Sequence, residues 1–494
     1  MVFPPNDKAA PVERHRTALK RNTLSRPLRL ALEQGILGKG LTVFDYGCGH
    51  GDDISNLEEL GISSSGWDPV HRPASPRLVA DVVNLGYVVN VIEDRDEGSA
   101  TLLSAWALAK ACLIISAQLT RDAITSPVAE MGDGVLTRLN TFQKYFEHDE
   151  LKSWVESTLE KRAVSLTPGI VCVFRDAKLE EGYSVRQFRS RISAPRVQRR
   201  SSVYEQHKDL FDALAAFVAS RGRLPADAEF EKAEDLKAVS GSLKRAFNTI
   251  KSLGTAGEWE LIRMRRTEDL MVYMALAAFN KLPRWSMVPP DTQLDIGAFF
   301  GTYAKARDRS SKLLFSAGDN LVVNNACIDS KIGKLTPSAL YVHRTALDRL
   351  NPVLRVLEGC ARVLVGQVEG ANLVKLHRHE HRVSYLVYPK FDEDPHPQLE
   401  RSFVIDLQKL RENYVDYRSR VNPPILHRKE CFVAEDYPQI QKFRNLTRQE
   451  EKHALLTETS SIGTADGWRA ALDARGLALR GHRLIKAKVR REKS

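Results

Sequence analysis

Three glycines at alternate positions, set between a short apolar run and a polar stretch that can begin a helix, constrain this chain more than any other feature. Leu41-Thr42-Val43-Phe44 leads into Asp45-Tyr46-Gly47-Cys48-Gly49-His50-Gly51-Asp52-Asp53. The residues at 41–44 read as a buried strand and those from Asp53 onward as a helix. Glycines between them tolerate positive φ and carry no Cβ, so the backbone can turn tightly and pass close beneath a ligand. A phosphate loop would end in Gly-Lys-Ser/Thr, which is absent. The dinucleotide pattern G-x-G-x-x-G is not matched either, because this loop reads G-x-G-x-G. An acid, Asp45, stands two residues before the first glycine.

A second strand is expected at Ile62–Trp67, ending on Asp68-Pro69. An acid at the tip of that strand, about 20 residues past the glycine loop, can accept hydrogen bonds from both ribose hydroxyls of an adenosine ligand. Asp81–Asp94 reads as a buried central strand followed by a turn, Ser104–Lys110 as a helix and Cys112–Ser116 as a further strand. The span from Asp68 to Asp81 is too short for a crossover helix plus another strand, and Pro73 and Pro76 break it. The third-strand region is therefore reduced. A helix at Asp149–Leu159 precedes a closing pair, Ala163–Leu166 and Ile170–Phe174, expected to be antiparallel. The pattern Asp45-x-Gly47-x-Gly49-x-Gly51 resembles the first motif of Rossmann-like S-adenosyl-L-methionine (SAM) methyltransferases. That resemblance implies SAM as cofactor, bound by Asp45, Tyr46, Gly47, Cys48, Gly49, Gly51, Asp68, Pro69 and Asp81. Asp81 either reaches adenine or merely begins its strand.

At 494 residues, 43% hydrophobic and 27% charged, the chain should hold two or three domains. No apolar run approaches 18 residues, the start Met1-Val2-Phe3-Pro4-Pro5 lacks a signal peptide's apolar core, and the six cysteines form no C-x-x-C pair. A membrane span, a disulfide framework and a zinc ribbon are thereby disfavoured, and a cytoplasmic location is expected. The net charge of +11 gathers in three clusters. They are Arg14, Arg16, Lys20, Arg21, Arg26 and Arg29; then Arg186, Arg189, Arg191, Arg196, Arg199 and Arg200; then Arg480, Arg483, Lys486, Lys488, Arg490, Arg491 and Lys493. Such clusters suit a polyanion, so DNA is the expected partner.

The α/β domain, Rossmann-like with the reduced third-strand region, is expected at 37–180, behind a basic helical extension at 1–36. A basic linker (181–201), a mostly helical domain (202–318), an α+β C-terminal domain suited to target recognition (319–470) and a basic tail (471–494) follow. Strands are expected near Val363–Val368, Val383–Val387 and Ser402–Ile405. Ser240–Ser252, with Lys244, Arg245 and Lys251 around Leu243, Phe247 and Ile250, fits either the second helix of a helix-turn-helix reader or an ordinary bundle helix.

Asn84-Leu85-Gly86-Tyr87 falls where amino-group DNA methyltransferases carry their acceptor motif. Asn84 and Tyr87 are the catalytic candidates, the amide carbonyl accepting from a target amine and the ring stacking on a flipped base. Asn422-Pro423-Pro424-Ile425 lacks the stacking aromatic of that motif and reads as a rigid turn. No Pro-Cys pair follows a strand, which argues against cytosine C5 chemistry and its thiolate. His377-Arg378-His379-Glu380-His381 reads as a solvated hairpin tip, since neighbouring histidines on a strand can rarely all reach one ion. No metal site is expected.

The chain also resembles, over nearly its whole length, the DNA phosphorothioation-associated methyltransferases. The motifs are Arg16-Thr17-Ala18, Leu24-Ser25-Arg26-Pro27, Val43–Gly49, Gly66-Trp67-Asp68-Pro69, Asn84–Asp94 and Gly132–Thr137, then Leu340–Arg344, Glu358–Arg362, Glu369–Asn372 and Asn422–Glu430. The resemblance implies SAM-dependent transfer with DNA as acceptor, beside sulfur-modification and phage-defence proteins.

Overall fold

The computed structural model describes residues 12–18, 20–123, 129–195, 202–254 and 257–487. Of the basic clusters, Arg196, Arg199, Arg200, Lys488, Arg490, Arg491 and Lys493 lie outside the described residues. The chain divides into two compact units. Unit 1 takes residues up to Tyr183 with Val363–Val368, and unit 2 takes Ser184–Arg362 with the residues from Glu369 onward. Among the described residues no helix is long and apolar enough to cross a membrane.

In unit 1, α1 (Arg26–Glu33), β1 (Thr42–Tyr46), α2 (Asp52–Glu59), β2 (Ser63–Trp67), β3 (Ala80–Gly86), α3 (Arg95–Leu108) and β4 (Ala109–Ser116) alternate. A small antiparallel sheet of β5 (Ala129–Met131), β6 (Gly134–Leu136) and β7 (Phe142–Gln143), not foreseen from sequence, comes next. Then follow α4 (His148–Leu159), β8 (Val164–Thr167), β9 (Ile170–Phe174) and α5 (Ala177–Gln187). The main sheet has the order β2-β1-β3-β4-β9-β8. Its first four strands are parallel and the last two antiparallel. No helix or strand occupies 68–79, so β2 is the sheet's edge and the reduced third-strand region is real.

Alternation along the central strands explains why both faces need helices. Phe44, Val83, Leu85, Leu113, Ile115, Val171 and Val173 point to one face and pack with Leu102 and Trp106 of α3 and Leu151 and Val155 of α4. Val43, Val82, Ile114 and Cys172 point to the other, against Leu28 and Leu30 of α1 and Leu57 of α2. Buried on both sides, such strands read as continuous apolar runs. The order reverses between β1 and β3, and that reversal is where an open α/β sheet leaves a crevice at its carboxyl edge.

Unit 2 opens with helices α6 (Ser202–Gln206), α7 (Lys208–Arg221), α8 (Ala233–Ser240), α9 (Leu243–Leu253), α10 (Glu258–Asn280), α11 (Pro290–Phe300), α12 (Tyr303–Ala317) and α13 (Asn320–Ile328). An antiparallel meander follows, in which β10 (Lys334–Leu335), β11 (Ala339–His343), β12 (Leu373–His377), β13 (Arg382–Val387), β14 (Arg401–Asp406) and β15 (Arg411–Asp416) pair in chain order. Val363–Val368 is not the strand the sequence suggested. Pro352 starts α14 (Pro352–Val365), proline's fixed φ and missing N–H suiting a first helical turn, and buried Leu354, Leu357, Ala361 and Val365 keep helical spacing. The described part of the tail, up to residue 487, is structured. α15 (Ile440–Lys452), α16 (Ala465–Asp473) and the hairpin of β16 (Leu477–Leu479) and β17 (Leu484–Lys486) close the unit, with Leu472 and Leu477 buried against Trp468 and Ile425. The His377–His381 stretch is a hairpin tip, where His377 Nε2 meets Ser384 Oγ at 3.0 Å and His381 Nε2 meets the Gly318 carbonyl at 2.7 Å. Asn422 Oδ1 accepts from Asp466 N at 2.9 Å, a turn-holding role within unit 2.

One buried group in unit 1 makes a pH prediction. His148 Nδ1 accepts from Gly169 N at 3.1 Å, and Nε2 lies 3.0 Å from Ser165 Oγ, which donates to Leu364 O at 2.9 Å. Burial, then Lys152 and Arg121, pull its pKa down to about 3. Below about pH 6.5 the unfolded chain takes up this proton and the native one does not, so stability falls as pH drops towards 3. Denaturant melts between pH 6 and 4.5 should show a slope up to about 1.4 kcal/mol per pH unit steeper than in His148→Gln. Equal slopes would refute the assignment.

Candidate cofactor site

The cavity lies at the switch between β1 and β3. Its volume is about 350 Å³, inside the range of small-molecule sites. β1 ends on Asp45 and Tyr46, the glycine loop crosses above, and Asp52 and Asp53 enter the first turn of α2, where the positive end of the helix favours carboxylates. Gly47 has φ +82°, and a Cβ there would stand 2.5 Å from Val88 Cγ2. Gly51 has φ +89° at the N-cap of α2.

Asp45 is 5% exposed and accepts from Asn84 Nδ2 at 2.9 Å. The two residues are register partners across β1 and β3. Burial first, then the charge of Asp53, pushes the Asp45 carboxyl up to about 7, against the opposing hydrogen bond from Asn84. Asp68 ties β2 to the loop: Oδ2 accepts from Gly49 N at 3.1 Å, and Oδ1 from Val70 N and His71 N at 2.9 and 2.8 Å. A carboxylate offers about four acceptor positions, so one on Oδ2 stays open to a hydroxyl. Gly47 N and Cys48 N both donate to Trp67 O, at 2.8 and 3.1 Å, and Gly51 N donates to Cys48 O at 2.9 Å. Burial, then Asp45, pushes the Cys48 thiol up to about 12, so it is no thiolate nucleophile. The Arg77 guanidinium lies 3.8 Å from the Trp67 ring centroid.

Asp45, Tyr46, Gly47, Cys48, Gly49, Asp68, Pro69, Asn84 and Tyr87 all line this cavity. Gly51 shapes the loop from outside the lining. Asp81 is elsewhere. At the start of β3 its Oδ2 accepts from Thr42 N and Oγ1 at 2.8 and 2.6 Å, at the opposite end of the strand from the cavity, so it begins the strand. Asn84 divides its amide between two surroundings. Its Nδ2 is committed to Asp45, and its Oδ1 is buried with no partner among the described residues. Tyr87 sits just past β3 with φ +58°, uncommon for a bulky residue and held by Tyr87 N donating to Ser116 O and Oγ at 3.0 and 3.1 Å.

Sequence reasoning missed the N-terminal wall. Arg14, Thr17, Ala18, Arg21 and Ser25 line the cavity. Arg14 bonds Glu93 at 2.8 Å and Glu97 at 2.5 and 2.7 Å, Arg21 N donates to Asp52 Oδ2 at 2.5 Å and Ser25 N to Asp53 Oδ1 at 2.6 Å. The paired acids at Asp52-Asp53 and Glu93/Glu97 were the available signal.

No family model matches the chain, and no curated protein matches it. Solved structures similar to it include the 1,6-didemethyltoxoflavin-N1-methyltransferase of Burkholderia thailandensis, with 1,6-didemethyltoxoflavin and S-adenosylhomocysteine bound. It is 17% identical, covering 30% of this chain and 76% of that one, with a TM-score of 0.24. A sugar N-methyltransferase from a Streptoalloteichus species is 13% identical over 35% of this chain and 98% of that one, TM-score 0.26. A SAM-bound amino pentose methyltransferase from Micromonospora echinaspora is 13% identical over 30% and 88%, TM-score 0.23.

The raised Asp45 has a stability consequence. Between about pH 4 and 7 the unfolded chain releases this proton while the native chain keeps it, so the native state loses stability as pH rises through that window. Asp45→Asn keeps an acceptor for Asn84 and removes the cost. It should stabilise unit 1 at pH 7.5 by on the order of 1–3 kcal/mol and flatten the profile from pH 5 to 8. An unchanged or lower melting temperature would count against a costly buried carboxyl.

Proposed function

We propose that unit 1 binds SAM in the cavity between β1 and β3 and transfers its methyl group to an acceptor. The observation that carries this reading is the commitment of the loop amides. Gly47, Cys48, Gly49 and Gly51 all donate within the loop or to Trp67 and Asp68. A dinucleotide or nucleoside triphosphate needs such amides free for its phosphates, and the acids Asp52, Asp53, Asp68 and Glu97 outnumber the arginines Arg14, Arg21 and Arg77 in the wall, which disfavours added negative charge. An adenosine ligand carrying cationic groups instead of phosphates meets neither objection.

A further feature fits that ligand: among the described residues Asn84 Oδ1 is a buried acceptor in want of a donor. SAM supplies an electrophilic methyl group on a sulfonium. Asp68 orients the ribose through the open position on Oδ2, and Asp45, held by Asn84, fixes the end of β1 beneath the loop. Tyr87, just past the end of β3 in the cavity lining, presents its ring to an acceptor. With Cys48 kept as a thiol, turnover rests on positioning rather than on covalent catalysis.

The acceptor in this reading is DNA, in a phosphorothioation or restriction-type defence setting. Its support is the net charge of +11, the family motifs, and α9. That helix follows α8 after the Gly241 turn and carries Lys244 and Arg245 on its exposed face, as the second helix of a helix-turn-helix does. A second reading, a SAM-binding component that transfers nothing, is favoured by the missing prolines of the acceptor motif at Asn84-Leu85-Gly86-Tyr87 and by the reduced third-strand region at 68–79.

Methyl-tritiated SAM incubated with duplex, single-stranded and phosphorothioated DNA separates the two. Label on one of the DNAs is expected, and absence of label from all three would remove DNA as acceptor and leave a non-transferring SAM-binding component or a methyltransferase acting on RNA or protein. Tyr87→Gly suits the positive φ, so the variant should fold normally and lose about 10-fold or more of the transfer rate, on the scale of one lost base-stacking contact. Full activity in that variant would remove Tyr87 from the acceptor pocket.

A further inference from the structure

Unit 2 buries a constellation that the cofactor reading does not use. His396 comes from the loop between β13 and β14, His427 from the stretch after Asn422-Pro423-Pro424, and Glu450 from α15. One ligand-type atom from each lies within 4.8 Å of the other two. Glu450 is fully buried, and the His396 side chain is 5% exposed. Among the described residues His396 Nε2, His427 Nδ1 and both Glu450 carboxylate oxygens have no hydrogen-bond partner. His396 Nε2 and Glu450 Oε1 approach to 2.7 Å, yet out of line for a hydrogen bond.

The far side of each imidazole explains why the near side is bare. His396 Nδ1 lies 3.2 Å from the Leu426 carbonyl and His427 Nε2 lies 2.8 Å from the Ile462 carbonyl. Only a protonated nitrogen can bond to a carbonyl oxygen, so these donate, and the neutral rings turn lone pairs towards Glu450. Backbone carbonyls holding the outer N–H of a histidine are the usual support of metal-bound imidazole. Trp468 closes the group, its ring centroid 4.5 and 4.7 Å from the two imidazoles in edge-on contact.

Two lone pairs and a carboxylate facing one another in a dry space repel unless a cation or a shared proton lies between them. The nearest side-chain cations are occupied. Lys429 Nζ donates to Phe391 O and Asp394 O at 2.7 and 2.5 Å and contacts His482 Nε2 at 3.0 Å. Arg428 bonds Glu451 at 2.6 Å. Lys334, the remaining cation felt by His427, is itself largely buried, which pulls its pKa down.

We propose that His396, His427 and Glu450 bind a divalent transition-metal ion, zinc. Two imidazole nitrogens and a carboxylate oxygen match its preferred donors, whereas calcium and magnesium favour all-oxygen sets. The ion joins three segments far apart in sequence, and it leaves one position of a tetrahedral set for water or a further donor. Its role in unit 2 is that of a staple.

The full-length chain, stripped with chelator and then dialysed against Zn²⁺, tests this by elemental analysis and thermal melting. About one zinc per chain is expected, with a higher melting temperature than the stripped protein. Glu450→Gln, which keeps the side-chain volume, and His427→Ala should each weaken zinc affinity by about 10-fold or more. Far-UV circular dichroism checks that the variants fold. Where a variant does not fold, uptake by the unaltered chain decides alone. Zinc uptake well below one equivalent, or uptake unchanged in a folded variant, would overturn the site and leave a buried polar cluster sharing a proton.

Discussion

Burying a carboxyl group at the end of a central strand sets the terms for the rest of unit 1. Asp45 has given up most of its hydration and recovers part of it from Asn84 across the β1–β3 pairing. That bond works only if β1 and β3 are adjacent, parallel and in register, which is also the condition for the sheet order to reverse between them. The glycine loop must then leave β1 without a Cβ to strike Val88, and α2 must begin where Asp52 and Asp53 can take the Arg21 and Ser25 amides. One polar contact in a dry place thus couples strand order, loop composition and the docking of the N-terminal segment. Sites that perturb a carboxyl this strongly are more often functional than structural, although a structural ion network can do the same.

Charge needs a different reading once its partners are visible. Arg14, Arg16 and Arg29, counted in the sequence as part of a cationic surface, meet Glu93 and Glu97, Glu13, and Glu33 respectively. In unit 2, Arg221 and Arg223 share Asp295, and Arg266 and Arg355 share Asp269. These pairs cancel charge for charge and leave the net excess of +11 on residues outside them, so exposed residues such as Lys244 and Arg245 matter more to the binding of a polyanion than the count of arginines does.

The parallel part of unit 1 was legible because its signals are local. A strand of buried alternating residues, a loop of glycines and an acid on each of the first two strand tips follow from residue type and spacing alone. The reduced third-strand region was legible for the same reason, since Pro73 and Pro76 leave no room for a crossover. What stayed hidden depends on distant pairs. The wall formed by Arg14 and Arg21 exists only through Glu97 and Asp52, and the bond from Asn84 Nδ2 to Asp45 only through the β1–β3 pairing. Val363–Val368 misled because β-branched residues in a short window look like a strand, while the helix is decided further back by Pro352 and the spacing from Leu354 to Ala361. The convergence of His396, His427 and Glu450 left no trace in sequence spacing, whereas the compact histidine run at 377–381 drew attention to a hairpin tip.

The central claim is that the cavity between β1 and β3 takes an adenosine ligand without phosphates. A calorimetric titration of the full chain with SAM, repeated in the presence of a nicotinamide dinucleotide, tests it most directly. The account predicts a single site for SAM, unaffected by the dinucleotide and lost in Gly47→Val, where a side chain would meet Val88. Dinucleotide binding that displaces SAM, or SAM affinity unchanged in a folded Gly47→Val protein, would contradict it.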